Sequence, residues 1–208
     1  LIERSLIMMH EDDTGLGRLF LLTSVTEYAD KKLSNMFADE AQGTRIRHAR
    51  HYAQLGSDSE TNEFSGPSGI QGRRHARREF ENLMAAISPA VAAGDNETAA
   101  ACTLAAASVL EFDGPFADAI ALLKQSLSWS TESNTRSRLM GWTVWMLRGA
   151  GQIEEALELN THALEFALAS DNRHQQGRTI ELMGHLLQAQ GKLSEALSRF
   201  QEAVQIAR

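Results

Sequence analysis

The sequence predicts an all-α fold, an α-solenoid of antiparallel helix hairpins preceded by a short β-hairpin, and three observations lead there. Ala and Leu are abundant, while the 208 residues include only 3 prolines and 6% aromatics, a balance that favours helix over sheet. A helical frame ended by glycine recurs, with Gly114, Gly151 and Gly191 standing 37 and then 40 positions apart, and self-similarity at such a period marks a repeat architecture. Within each frame the apolar residues fall at intervals of three and four, the spacing of one helix face.

The last frame is the clearest. Ile180, Met183, Gly184 and Leu187 share one face, Gly191 follows, and Ala196, Phe200 and Ala203 lie beyond it. This order resembles the tetratricopeptide (TPR) pattern W-x-x-L-G-x-x-Y followed by A-x-x-x-F and a further Ala, with Ile in place of Trp and Leu in place of Tyr. Gly184 and Ala196 would let the paired helices approach closely, and Phe200 would fill the space between hairpins. Gly191 would supply a left-handed cap. Upstream, Met140, Val144 and Leu147 precede Gly151, with Ala156 and Ala163 after it; Ala107 and Leu110 precede Gly114, with Ala119 and Leu123 after it. These units exceed the nominal TPR length of about 34 residues. The extra residues fall at 130–135 and 170–172, where polar N-cap chemistry fits loops. Pro115 suits a first helical turn. An earlier helix carries Phe80, Leu83, Met84 and Ile87 and closes at Gly94-Asp95-Asn96. Pro89 inside it predicts a kink or an early stop near Ser88.

The first part of the chain reads differently. Leu1 to Met9 and Arg18 to Leu22 are short apolar runs around the turn His10 to Gly15, a β-hairpin pattern. Thr23 is placed to cap a helix with Thr26 and Glu27 in its first turn, and a second helix is expected over Glu40 to Leu55. The string Arg18-Leu19-Phe20-Leu21-Leu22-Thr23-Ser24-Val25-Thr26-Glu27-Tyr28-Ala29 resembles the R-[FY]-x-L-L-x-T-[VI]-R-E-Y-A stretch of bacterial STAND regulators. In that class an NB-ARC-like ATPase is followed by a winged helix and a TPR sensor array. Arg47-His48-Ala49 with Tyr52 resembles the helix after that stretch, and Glu81-Asn82-Leu83-Met84-Ala85-Ala86 resembles the start of the repeats. Thr26 departs from the family's Arg, and residues 57–73 form a Gly/Ser-rich insertion. The resemblance implies the end of a winged helix and its following helix over 1–56, a flexible linker over 57–73 and a TPR domain over 74–208. It also implies a signalling role beside an upstream ATPase, with contact between the winged-helix remnant and that domain. Leu1, and Arg208 inside a helical pattern, lead us to expect a piece of a longer protein.

Composition narrows the function. The net charge of -7 disfavours direct nucleic-acid contact by the chain as a whole. Arg45, Arg47, Arg50, Arg73, Arg74, Arg77 and Arg78 form a local basic run without interleaved aromatics, equally suited to an ionic contact with an ATPase core. No apolar stretch reaches the ~20 residues of a membrane span, and no signal peptide is visible, so a cytoplasmic protein is expected. Cys102, the single cysteine, reads as a small core residue. No phosphate-binding P-loop, nucleophile elbow or zinc-protease motif occurs, so the chain reads as a non-enzyme without a cofactor; ATP or ADP would belong to the parent. His48 and His51 stand at metal-ligand spacing, but three arginines surround them. For the groove that TPR arrays form with their first helices, the residues flanking the packing positions are Arg138, Trp145 and Arg148, then Arg178, Glu181, His185 and Gln188. An aromatic ring among guanidinium groups suits a protein or peptide carboxylate, or a small anionic inducer. The alternative packs Trp145 against Trp142 and leaves the arginines solvated. The Lys/Asn set of the chaperone-binding carboxylate clamp is missing. The expected function is a partner-binding or ligand-sensing TPR module of a STAND-type regulator; the alternative is a stand-alone TPR adaptor.

Overall fold

A computed structural model describes residues 6–11, 17–56, 69–170 and 172–207. The chain divides into two compact units, Leu1–Arg47 and His48–Arg208. The division falls inside a helix, nine residues ahead of the boundary expected at 56.

In the first unit, β1 (Ile7–Glu11) and β2 (Gly17–Leu21) pair antiparallel, with Met8 opposite Phe20 and Met9 opposite Leu19. The turn residues 12–16 lie outside the described residues. Successive side chains alternate faces, so these two pairs lie on opposite sides of the ribbon, and all four are exposed. Helix α1 (Thr23–Met36) follows directly. Its N-cap is Leu22 with no side-chain bond, so Thr23 is the first helical residue and not the expected cap. The chain leaves β2 through extended Leu22, and the Thr26 hydroxyl donates to the Leu22 carbonyl at 3.3 Å instead. Helix α2 (Ala38–Ala53) places Asp39 and Glu40 in its first turn, where the helix dipole favours acids. Arg45 of α2 donates to Asp30 at 2.5 Å and to Ser34 at 2.8 Å, tying α2 to α1.

Among the described residues, the second unit contains the end of α2, a 3-10 turn at Gln54–Gly56, and eight helices. These are α3 (Gly69–Arg78), α4 (Phe80–Ala92), α5 (Asn96–Asp113), α6 (Phe116–Trp129), α7 (Ser133–Gly149), α8 (Ile153–Ala169), α9 (Arg173–Ala189) and α10 (Leu193–Ala207). Of the expected linker, residues 57–68 lie outside the described residues and Gly69–Arg73 belong to α3. Helix α4 runs through Pro89 to Ala92, so the early stop near Ser88 does not occur. Pro89 sits in the last turn, between the buried Ala86 and Ala90, and the helix forgoes only the one bond that a Pro89 amide would have given to the carbonyl four residues back.

The hairpin turns follow the predicted chemistry. Gly151 (φ 76°) and Gly191 (φ 78°) adopt the left-handed conformation. The next amide closes each cap, Gln152 donating to Leu147 at 2.9 Å and Lys192 to Leu187 at 3.0 Å. At Gly114 the pattern differs: its amide donates to Leu110 at 2.9 Å, and Pro115 is an extended N-cap, one residue before the helical turn expected for it.

Helix α5 is buried nearly all round, which its small residues permit. One side packs Ala100, Leu104 and Ala107 with Leu123, Leu139, Val144, Leu147 and Leu186. The other packs Ala99, Cys102, Ala106 and Val109 with Ala49, Ala76, Leu83 and Ala90. Burial, with the Asp95 charge nearby, pushes the Cys102 thiol up to about 12, so it is a neutral core group, as expected. Size is matched within hairpins. Seven positions before each turn glycine stand Ala107, Val144 and Gly184; nine positions after it stand Leu123, Asn160 and Phe200. The smallest residue belongs to the hairpin with the largest partner. A β-carbon on Gly184 would lie 2.6 Å from Phe200 Cε1. Asn160, fully buried, instead donates to the Thr179 carbonyl of α9 at 3.0 Å. No helix among the described residues is long and apolar enough to cross a membrane.

Candidate functional site

Two first helices, α7 and α9, carry the predicted groove residues in a common register. Trp145 and His185 each stand six positions before their turn glycine, Arg148 and Gln188 three before, and Arg138 and Arg178 thirteen before. Neighbouring first helices therefore present these side chains in columns.

The structure brings three of the seven together. The His185 ring meets the Trp145 ring edge-on, with centroids 5.7 Å apart and planes at 82°. The Arg148 guanidinium lies over the Trp145 ring at 4.2 Å, a contact worth about 0.5–2 kcal/mol depending on exposure. Two residues outside the predicted set complete the cluster. Glu111 of α5 accepts from Trp145 Nε1 at 2.8 Å, and Phe200 of α10 packs against His185 at 5.0 Å. Glu111 stands three positions before Gly114, in the register of Arg148 and Gln188, and that signal would have found it. Trp145 and Trp142 both pack on the central core, but the ring partner of Trp145 is His185.

The other four residues are placed differently. Arg138 is committed to the fold, since its Nη2 donates to the Gly56 carbonyl at 2.8 Å. Its charge also acts on Glu132, which caps α7 by accepting from the Asn134 and Thr135 amides at 2.9 and 2.5 Å. Burial alone would raise the Glu132 carboxyl, but these hydrogen bonds and the Arg138 charge outweigh it and hold the group below the usual carboxylate range. Arg178, Glu181 and Gln188 are exposed on α9.

Chemically, the cluster presents an oriented cation. Stacking on Trp145 covers one face of the planar guanidinium and fixes its plane. Arg148 Nε is buried and, among the described residues, makes no hydrogen bond. A guanidinium held over an aromatic ring is suited to a carboxylate, its matching acceptor.

The basic run largely spends its charge inside the chain. Arg50 pairs with Asp95 at 2.8 Å, Arg77 with Asp113 at 2.9 Å, and Arg73 lies 5.2 Å from the Phe112 ring centre. His48 and His51 both pack on the Tyr52 ring, at 4.7 and 4.9 Å. Among the described residues no group of three side chains is arranged to hold a metal ion.

A tetratricopeptide-repeat family model matches residues 146–208, which take in the end of α7 and all of α8 to α10. No curated protein and no solved structure matches the chain. The chain is thus an all-α helical-repeat protein whose residues 146–208 are similar to tetratricopeptide repeats.

Proposed function

We propose that this chain is the partner-sensing TPR module of a larger STAND-type signalling ATPase. It takes an acidic peptide segment or small anionic inducer on the first-helix face around Trp145 and Arg148. The observation that carries the binding reading is the Arg148 guanidinium held 4.2 Å over the Trp145 ring. His185, Arg178 and Gln188 on the adjacent helix extend the same surface. The regulatory half of the reading is supported by the order of motifs along the chain and by the first unit. There a β-hairpin exposing Met8, Met9, Leu19, Phe20 and Leu21 offers apolar surface to an upstream domain. Ligand would act by favouring one of two domain arrangements.

Fluorescence polarisation against acidic peptides with free and with amidated C-termini tests the binding site. A subset should bind, and Arg148→Gln should weaken that binding at least tenfold with the circular dichroism spectrum unchanged. Trp145→Ala should do the same, with its melting curve checked because Trp145 also packs on the core. Equal binding by wild type and Arg148→Gln would remove the site from this face. Intact mass and peptide sequencing of the native chain test the parent. A P-loop upstream supports the switch; a native chain beginning close to Leu1 leaves a stand-alone TPR adaptor.

A further inference from the structure

We propose that the 3-10 turn Gln54–Gly56 is a built-in occupant of the array's groove, released when a peptide carrying two carboxylates bridges Arg148 and Arg138. The inference rests on the acidic-ligand reading above and names how that site is regulated. It starts from the column thirteen positions before each turn glycine, which runs Ala101 on α5, Arg138 on α7 and Arg178 on α9. Gly56 meets the first two members. A β-carbon on Gly56 would lie 1.8 Å from the Ala101 carbonyl oxygen, so the backbone of the turn rests directly on that of α5. The Gly56 carbonyl in turn accepts from Arg138 Nη2 at 2.8 Å. The turn therefore lies across two neighbouring first helices at one height of the column, the course a groove ligand takes. Arg178, the third member, is exposed.

The turn is held on one side by packing and on the other by a single exchangeable bond. Leu55 packs on the core between α4 and α5, and just ahead of it Arg50 pairs with Asp95 at 2.8 Å. The exchangeable bond is the one to Arg138. A main-chain carbonyl is a neutral acceptor, whereas a carboxylate makes a charge-assisted bond to a guanidinium that is about twice as strong. A carboxylate brought to Arg138 thus displaces the Gly56 carbonyl. Arg148 supplies the tether: with one carboxylate seated there, a second on the same peptide meets Arg138 at a high effective concentration. The two arginines stand ten positions apart on α7 (148 minus 138), ~15 Å along the axis at the helical rise. An extended peptide covers that span in roughly five residues. A peptide with one carboxylate engages Arg148 alone and leaves the turn in place. Because the turn continues α2 without a break, its release changes how the end of that helix is anchored, which passes binding back along the chain.

Hydrogen exchange over residues 48–56 of the 208-residue chain, alone and saturated with peptide, reads the release directly. The probes are amidated acidic peptides with two Glu five residues apart, and the same peptides with either Glu changed to Gln. Two-Glu peptides should bind at least fivefold tighter and speed exchange over 48–56; one-Glu peptides should bind and leave exchange unchanged. Linkage makes the effect reciprocal. Gly56→Ala, which unseats the turn, should therefore bind two-Glu peptides at least threefold tighter than wild type and one-Glu peptides equally. Arg138→Gln leaves Gly56 intact and serves if Gly56→Ala does not fold; it should erase the difference between the two kinds of peptide. Two-Glu peptides that bind without speeding exchange overturn the proposal and leave the Arg148 site standing. Exchange that rises equally with one-Glu peptides overturns it as well. If no acidic peptide binds wild type or Gly56→Ala, the site itself falls and the inference falls with it.

Discussion

Two glycines in successive first helices give opposite predictions for similar substitutions. At Gly184 a β-carbon would lie 2.6, 2.8 and 3.0 Å from Phe200 Cε1, Cδ1 and Cζ, inside any normal contact. The Phe200 ring has little room to retreat, because His185 packs against it at 5.0 Å. Gly184→Leu therefore overpacks the α9–α10 hairpin and should destabilise by about 1–3 kcal/mol. At Gly141 a β-carbon would lie 3.7 Å from Leu182 Cδ1, an ordinary contact. Gly141→Ala should thus stabilise by about 0.5–1 kcal/mol, the helix-interior cost of glycine. For a cooperative unit of this size each kcal/mol moves Tm by roughly 2–4 °C, so thermal melts followed by circular dichroism should separate the two variants clearly. A third chain fixes the cause. In a Phe200→Leu background the ring is gone, and Gly184→Leu should cost measurably less than in wild type, a coupling expected of residues in contact. An unchanged Tm for Gly184→Leu, or costs that simply add in the double variant, would refute the packing argument and the repeat register with it.

Other outcomes follow from the same geometry. Gly56→Ala should destabilise by ~3 kcal/mol or more, since its β-carbon would lie 1.8 Å from the Ala101 carbonyl oxygen, and backbone has no rotamer to change; a denaturant midpoint equal to wild type would show that Gln54–Gly56 does not pack on α5. Glu132→Ala should cost about 1 kcal/mol by removing the α7 cap, read as a lower denaturant midpoint with an unchanged slope. The Asp95 and Glu132 carboxyls are both held below their ordinary range, Asp95 because the Arg50 and Thr98 hydrogen bonds and the Arg50 charge outweigh its burial. A depressed folded pKa contributes stability that is complete above the unfolded value, near 4 by approximate convention, and is lost as pH falls through the folded one. Melts taken toward acid should show that loss, and it should be smaller in an Asp95→Asn, Glu132→Gln chain; identical acid profiles would count against both sets of contacts.

What was legible in the sequence is what repeats. Gly151 and Gly191, the apolar spacing around them and the close approach at Gly184 follow from local periodicity and are in place, whereas Phe200, expected between hairpins, lies on Gly184 inside its own hairpin. The groove column was legible in part, because Trp145 and His185 share a register and therefore meet. What could not be read is long-range pairing. The Arg138–Gly56 bond spans 82 positions and no local pattern encodes it; Glu111 shares the register of Arg148 and Gln188, but nothing local assigns it to Trp145, 34 positions away. The Thr23 cap failed for a different reason: the residue type suited an N-cap, but the preceding strand delivers the chain one residue earlier. The early stop at Pro89 failed because a proline costs the helix one bond and a clash four residues back, which the packing of Ala86 and Ala90 into the core outweighs.

The size matching inside hairpins bears on how such an array can be inherited. Suppose recombination joined the first helix of one hairpin to the second helix of the next, with the crossover at the turn glycine. Val144 would then be paired with a phenylalanine in the place of Phe200, where even a single added carbon on Gly184 has no room. A crossover in the loops between hairpins, at residues 130–132 or 170–172, would keep each matched pair whole. The unit of exchange is therefore the complete hairpin, and ancestral breakpoints in chains of this kind should fall between hairpins and spare the turns.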